Sequence, residues 1–163
     1  MLYGTGILSI HVNSDFMYNI TLISTRHDEV GHCNSNELYK IIESINPEII
    51  FEEMPQSFFD KYYISKIRNN LETDTINRYL QSHEAKNIPV DSDNVPAESF
   101  FKDHQNLLRR VEGLIDINGF NFRNFTDRNR DYVMRYGFAY LNSNACMNIK
   151  GEISDAIEKK KKK

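Results

Sequence analysis

The chain has 163 residues, 40% hydrophobic and 26% charged, a balance that excludes a disordered chain and predicts one globular domain with a substantial core. Five of its 20 lysines and arginines form the terminal run Lys159–Lys163, so the formal charge of −3 conceals a body with 15 basic against 23 acidic residues, a net of −8. A body that acidic argues against nucleic acid as a partner, because phosphate binding needs a basic face, and no stretch approaches the ~20 apolar residues that span a bilayer.

Cys33 and Cys146 form no CxxC or zinc-ribbon spacing, so two free thiols in a reduced cytoplasmic setting are expected. The N-terminus lacks the basic and apolar regions of a secretory signal. Residues 1–16 read as a leader or as an extra strand over Ile7–Val12. Residues 17–146 read as a single α/β domain, and 147–163 as a disordered lysine-rich tail.

In chain order, Ile20–Thr25 reads as a buried strand, being β-branched and apolar with little alternation. A loop with Gly31 follows. Asn34 then offers an N-cap with Glu37 three residues on, and Leu38, Ile41, Ile42 and Ile45 share one helical face. Asn46-Pro47 ends that helix, and Glu48–Glu53 reads as the next strand, which completes a βαβ unit with parallel strands. Beyond Met54-Pro55 an aromatic helix carries Phe58, Phe59, Tyr62, Tyr63 and Ile67. A second helix is expected over Asp74–Lys86, and a third strand over Ile88–Asp91. From Pro96 the pattern is helical, with Phe100, Phe101, His104, Leu107, Leu108, Val111 and Leu114 on one face, a break near Gly119, and a helix over Thr126–Leu141. After Asn142 the pattern fades. The fold class is therefore α/β: a short, mainly parallel sheet with an N-terminal βαβ unit and a helical C-terminal half.

Three expected strands end on residues that bind metals or move protons, at the sheet end where open α/β folds place their ligands. His27 is suited to general base work or metal ligation; a loop histidine bonded to backbone is the plainer alternative. Glu52 and Glu53 point to opposite faces of a strand, so one of them can face a site. Asp91 and Asp93 share a face if the strand continues, or else form a turn with Asx-type bonds. A histidine with two or three carboxylates suits a divalent ion such as manganese or zinc. Arg128 and Arg130 open the last strong helix and either meet an anionic group or lie in solvent.

The run Ile23-Ser24-Thr25-Arg26-His27, followed by a helix and then Asn46-Pro47-Glu48-Ile49-Ile50-Phe51-Glu52-Glu53, resembles the TraB/PrgY–TIKI superfamily, to which erythromycin esterase and ChaN-like proteins are linked. That group carries GxxH after its first strand and a proline-led strand ending in glutamate; His27 and Glu53 fall on these two positions. Asn129-Arg130-Asp131-Tyr132-Val133-Met134 is similar to its later ERDxxM helix. Ser24 stands at the glycine position and Asn129 at the later glutamate. The second GxxH element is not found before Gly151–Lys163, so the chain reads as a member lacking the C-terminal portion.

The resemblance implies a hydrolase of peptide or ester bonds, metal-assisted or histidine-activated, acting on a small-molecule or peptide substrate. In that reading His27 is ligand or base, and Glu53 is ligand or general base. Asp91 is a ligand or orients His27, Arg130 stabilises developing negative charge, and the metal is Mn, Co or Zn. The alternative is a non-catalytic ligand-binding or regulatory module, holding a small ligand or haem in the same crevice. An exposed sheet edge leaves homo-oligomerisation open.

Overall fold

A computed structural model of the chain describes residues 19–94, 96–112 and 122–161. The expectations for residues 1–16, for Leu114 and for the break near Gly119 fall outside these. The fold is mixed α/β, with a core made mainly by helices and one two-stranded parallel sheet. No helix among the described residues is long and apolar enough to cross a membrane.

Helix α1 (Ser35–Ile45) begins where the sequence says it should. The Asn34 side chain accepts the Glu37 amide at 3.0 Å and donates to the Gly31 carbonyl at 2.9 Å. It ends at Asn46, which takes the left-handed conformation (φ 49°) just before Pro47. Leu38 and Ile42 are buried, contributing roughly 1.5–3 kcal/mol each, whereas Ile45 at the end of the same stripe is exposed.

Strand β1 (Ile49–Pro55) follows at once, and its burial alternates: Glu52 and Met54 point inward, while Ile49, Phe51 and Glu53 point out. Behind it come a 3₁₀ turn (Gln56–Phe58) and a π-helical turn (Asp60–Ile64) closed by the Ser65 amide on the Asp60 carbonyl. These replace the long aromatic helix expected there. Phe59 and Tyr63 stack at 4.7 Å, but Ile67 is exposed. Helix α2 (Leu71–Leu80) starts three residues earlier than expected because Asn70 and Thr73 form a reciprocal capping box. Strand β2 (Lys86–Asp91) then pairs parallel to β1, with Phe51 opposite Ile88.

The expected first strand is a correction. Ile20–Thr25 pairs with no strand among the described residues, and Ile20 and Leu22 are exposed. A β-branched run supplies an extended backbone; a strand also needs a ladder partner. Among the described residues Ser24 is met by a side chain: its amide donates to Asn142 Oδ1 at 2.7 Å, and Asn142 Nδ2 donates to its carbonyl at 3.2 Å. No βαβ unit around α1 is found among the described residues. The parallel pair is β1 and β2, with α2 between them in sequence.

Helix α3 (Glu98–Glu112) leaves Phe100 and Phe101 exposed. Helix α4 (Phe122–Leu141) is two helical stretches joined at Gly137 (φ 54°, ψ −135°). Beyond it the expected fading pattern and disordered tail give way to helix α5 (Asn144–Lys161), which buries Cys146 and Ile149 against the core and packs on α4.

The loop from His27 to Cys33 is fastened to α4 by close backbone contact. The His32 amide donates to the Met134 carbonyl at 2.9 Å. Gly31 (φ 54°) lies so near Met134 that a Cβ would meet its carbonyl and Cγ, and a Cβ on Gly137 would sit 2.5 Å from the His32 carbonyl oxygen. Both positions need glycine for space and for positive φ. Gly31→Ala and Gly137→Ala should each cost about 2–4 kcal/mol, combining left-handed strain with overpacking. Urea unfolding midpoints measure this, with Gly151→Ala, which meets nothing within 4 Å, as the benign control.

Candidate functional site

His27 follows the extended segment and is tied to the start of α2 twice. Its carbonyl accepts the Leu71 amide at 2.9 Å, satisfying one of the orphan donors of that helix. Its ring Nδ1 lies 3.3 Å from Glu72 Oε2. The other Glu72 oxygen accepts the Thr25 hydroxyl at 2.7 Å. The result is a base, a carboxylate that orients it, and a hydroxyl that orients the carboxylate. His27 is half-exposed, whereas Glu72 is largely covered. With Nδ1 turned to Glu72, Nε2 is the ring nitrogen left for a substrate, a water or a cation.

The electrostatics follow from this arrangement. The hydrogen bond to Glu72 raises the His27 pKa above its ordinary 6.5, outweighing partial burial, and the charges of Glu72, Glu53 and Asp28 push the same way. Burial works to raise the Glu72 carboxyl, but the bonds from His27 and Thr25 hold it below its ordinary 4.5. The His27 contribution to stability is present in full below pH 6.5 and is lost as pH rises through its raised pKa. The Glu72 contribution is present in full above pH 4.5 and is lost as pH falls through its lowered pKa.

The adjacent glutamates of β1 part company, as strand alternation requires. Glu53 points outward and is exposed, yet it acts electrostatically on His27. Glu52 points inward, where its Oε2 accepts the Tyr63 hydroxyl at 2.7 Å and Asn87 Nδ2 at 2.8 Å. Burial raises the Glu52 pKa despite both bonds, and Glu72 adds to the rise. Glu52 thus joins β1, the π-helical turn and β2, while Glu53 stays with His27.

The other expected site residues lie apart. Asp91 is exposed and accepts the amide of its neighbour Ser92 at 2.7 Å, a local turn. Asp93 accepts the Ser57 amide at 3.0 Å and so ties the end of β2 to the 3₁₀ turn. Arg130 is exposed on α4, one turn before Met134, and forms no ion pair with a described residue. Arg128 pairs with Glu152 of α5 at 2.7 Å. Asn129, at the position of the resemblance's later glutamate, accepts the Tyr140 hydroxyl at 2.7 Å across the α4 kink. His27, Glu53 and Asp91 do not assemble as a donor set for Mn, Co or Zn, and no three His, Cys, Asp or Glu among the described residues do so. A shallow depression of about 440 Å³, lined by Glu48, Ile49, Glu84, Ala85 and Lys86, lies at the opposite, N-terminal ends of the strands.

Sequence reasoning missed Glu72 and Thr25. Thr25 stands inside the expected first strand. Glu72 stands in the first turn of a helix whose Asn-x-x-Thr start was the available signal, and there an acid reads as a partner of the helix dipole. Set against known proteins, the chain matches no family model, no curated protein and no solved structure.

Replacing Glu72 with Gln removes the charge while leaving a side chain of the same shape. The His27 pKa should then fall toward 6.5, measured by NMR titration of the imidazole carbons. An unchanged titration would show that Glu72 does not set the basicity of His27.

Proposed function

We propose that the chain is a histidine-activated hydrolase of peptide or ester bonds, with His27 as the general base. The observation that carries this reading is the Thr25–Glu72–His27 relay, in which a half-exposed imidazole is held at Nδ1 by a covered carboxylate. The resemblance of residues 23–27 and 46–53 to the TraB/PrgY–TIKI group supports the same reaction class and the same histidine.

In this reaction His27 Nε2 takes a proton from water as the oxygen of that water bonds to the substrate carbonyl carbon. The carbonyl π pair moves to oxygen and gives a tetrahedral oxyanion. The imidazolium, steadied by Glu72, then returns its proton to the leaving nitrogen or oxygen as the scissile bond breaks. Glu53 adds negative charge near the ring and favours the imidazolium. The resemblance assigns the oxyanion to Arg130, but that side chain is exposed on α4 apart from His27 and takes no part in this step.

A second reading, a non-catalytic ligand-binding or regulatory module, is favoured by one observation: Asn129 is occupied in bridging the α4 kink to Tyr140. Turnover separates the two. Purified chain is assayed against activated esters and a mixed peptide library, after EDTA treatment and with Mn, Co or Zn returned. A hydrolase should show turnover that His27→Ala reduces by about 10²–10⁴-fold, with kcat/KM rising with pH through the raised His27 pKa. Metal dependence would assign Nε2 to a cation, and activity in EDTA would assign it to water. Absence of turnover under every condition would favour the binding module.

A further inference from the structure

Among the described residues nothing covers the outer face of the sheet. Phe51 is 66% exposed, Val90 57%, Ile49 43% and Ile88 37%. Parallel strands are ordinarily buried on both faces, because their pairing and apolar content both require it. Here one face packs toward the helical core and the other carries these four residues. Two charges flank them at opposite corners: Lys86 beside Ile49 at the N-terminal end of the strands, and Glu53, two residues past Phe51, at the C-terminal end. Neither makes an ion pair with another described residue.

We propose that this face is a dimer interface, and that its occupant is the same face of a second copy of the chain. The argument is charge complementarity under two-fold symmetry. Lys86 and Glu53 are separated by about 13 Å along the strands and about 5 Å across them. The line between them is therefore inclined by roughly 20° to the strand direction. A two-fold axis lying between two such faces, perpendicular to that line, sets Lys86 of each copy over Glu53 of the other. The strands of the copies then run antiparallel and cross at roughly 40°, close to the roughly 30° at which stacked sheets align. Phe51 and Ile88, the middle pair of the ladder, fall at the centre of the contact. The patch is self-complementary, which a closed two-fold dimer requires. It is also small, so the association should be weak and concentration-dependent.

The test is sedimentation equilibrium of the full chain over micromolar to millimolar concentrations. Wild type should show a reversible monomer–dimer equilibrium. Phe51→Lys should abolish the dimer, with an unchanged far-UV CD spectrum because the position is exposed. Lys86→Glu and Glu53→Lys should each raise the dissociation constant at least tenfold, because every substitution acts twice across a two-fold axis. The double variant Lys86→Glu/Glu53→Lys should return it to within about threefold of wild type. That rescue separates the proposed contact from general loss of folding and from contacts elsewhere. A wild type that stays monomeric at millimolar concentration would overturn the proposal, as when another segment covers the face. So would a dimer indifferent to Phe51→Lys, or a double variant as weak as the single ones.

Discussion

The approach of the His27–Cys33 loop to α4 is the constraint on which the rest of the molecule depends. Two glycines with φ of 54°, Gly31 and Gly137, let two backbones come together where side chains would forbid it, and the His32 amide closes the contact on Met134. Fixing the loop there fixes its end. The Val30–Cys33 bridge and the Asn34 cap set the start of α1, and Cys33 is delivered fully buried into the cluster shared by α1, α2, α4 and α5. The same contact determines where the loop begins. His27 is left at the outer end, free to meet α2, and the segment before it is drawn to Asn142 at the end of α4. The break of α4 at Gly137 thus stands between the contact with His32 and the contact of Asn142 with Ser24.

Local signals made much of this readable. The Asn34 cap, the Asn46-Pro47 stop and the strands near Ile49 and Ile88 were written in residue types whose conformational preferences act over three or four positions, but the apolar run Ile49-Ile50-Phe51 did not tell that Ile49 and Phe51 would face outward. What was not readable depended on partners distant in sequence. Ile20–Thr25 has the composition of a strand, but nothing in it reports that its neighbour would be the amide of Asn142, 118 residues from Ser24. Helix α5 is a different case. Cys146, Ile149 and Ile153 do fall at helical spacing, and the surrounding charges obscured a stripe that packs against the core cluster.

The site divides the same way. His27 was a candidate because it follows an apolar run and falls on the histidine of the resemblance; alternation left Glu52 and Glu53 open, and only the resemblance singled out Glu53. Glu72 was no candidate, since an acid in the first helical turn already has a sufficient explanation in the helix dipole. In the folded chain that placement serves two purposes. The N-terminus of α2 favours a carboxylate at Glu72, and the carboxylate favours a cationic His27, while the His27 carbonyl caps the same helix through the Leu71 amide. Helix start and histidine are therefore mutually stabilised.

Glu52 and Glu53 show how one peptide bond separates two chemistries. Turned inward, Glu52 loses solvent, gains the Tyr63 hydroxyl and the Asn87 amide, and is drawn toward its neutral form. Turned outward, Glu53 keeps its solvent and influences His27 only through its field. A one-residue slip of β1 would exchange them and would also turn the buried Met54 out to solvent. Tyr63 and Asn87 support whichever glutamate turns inward, while Met54, buried two residues on, holds Glu52 to that side and so leaves Glu53 on the side of the sheet from which its field reaches His27.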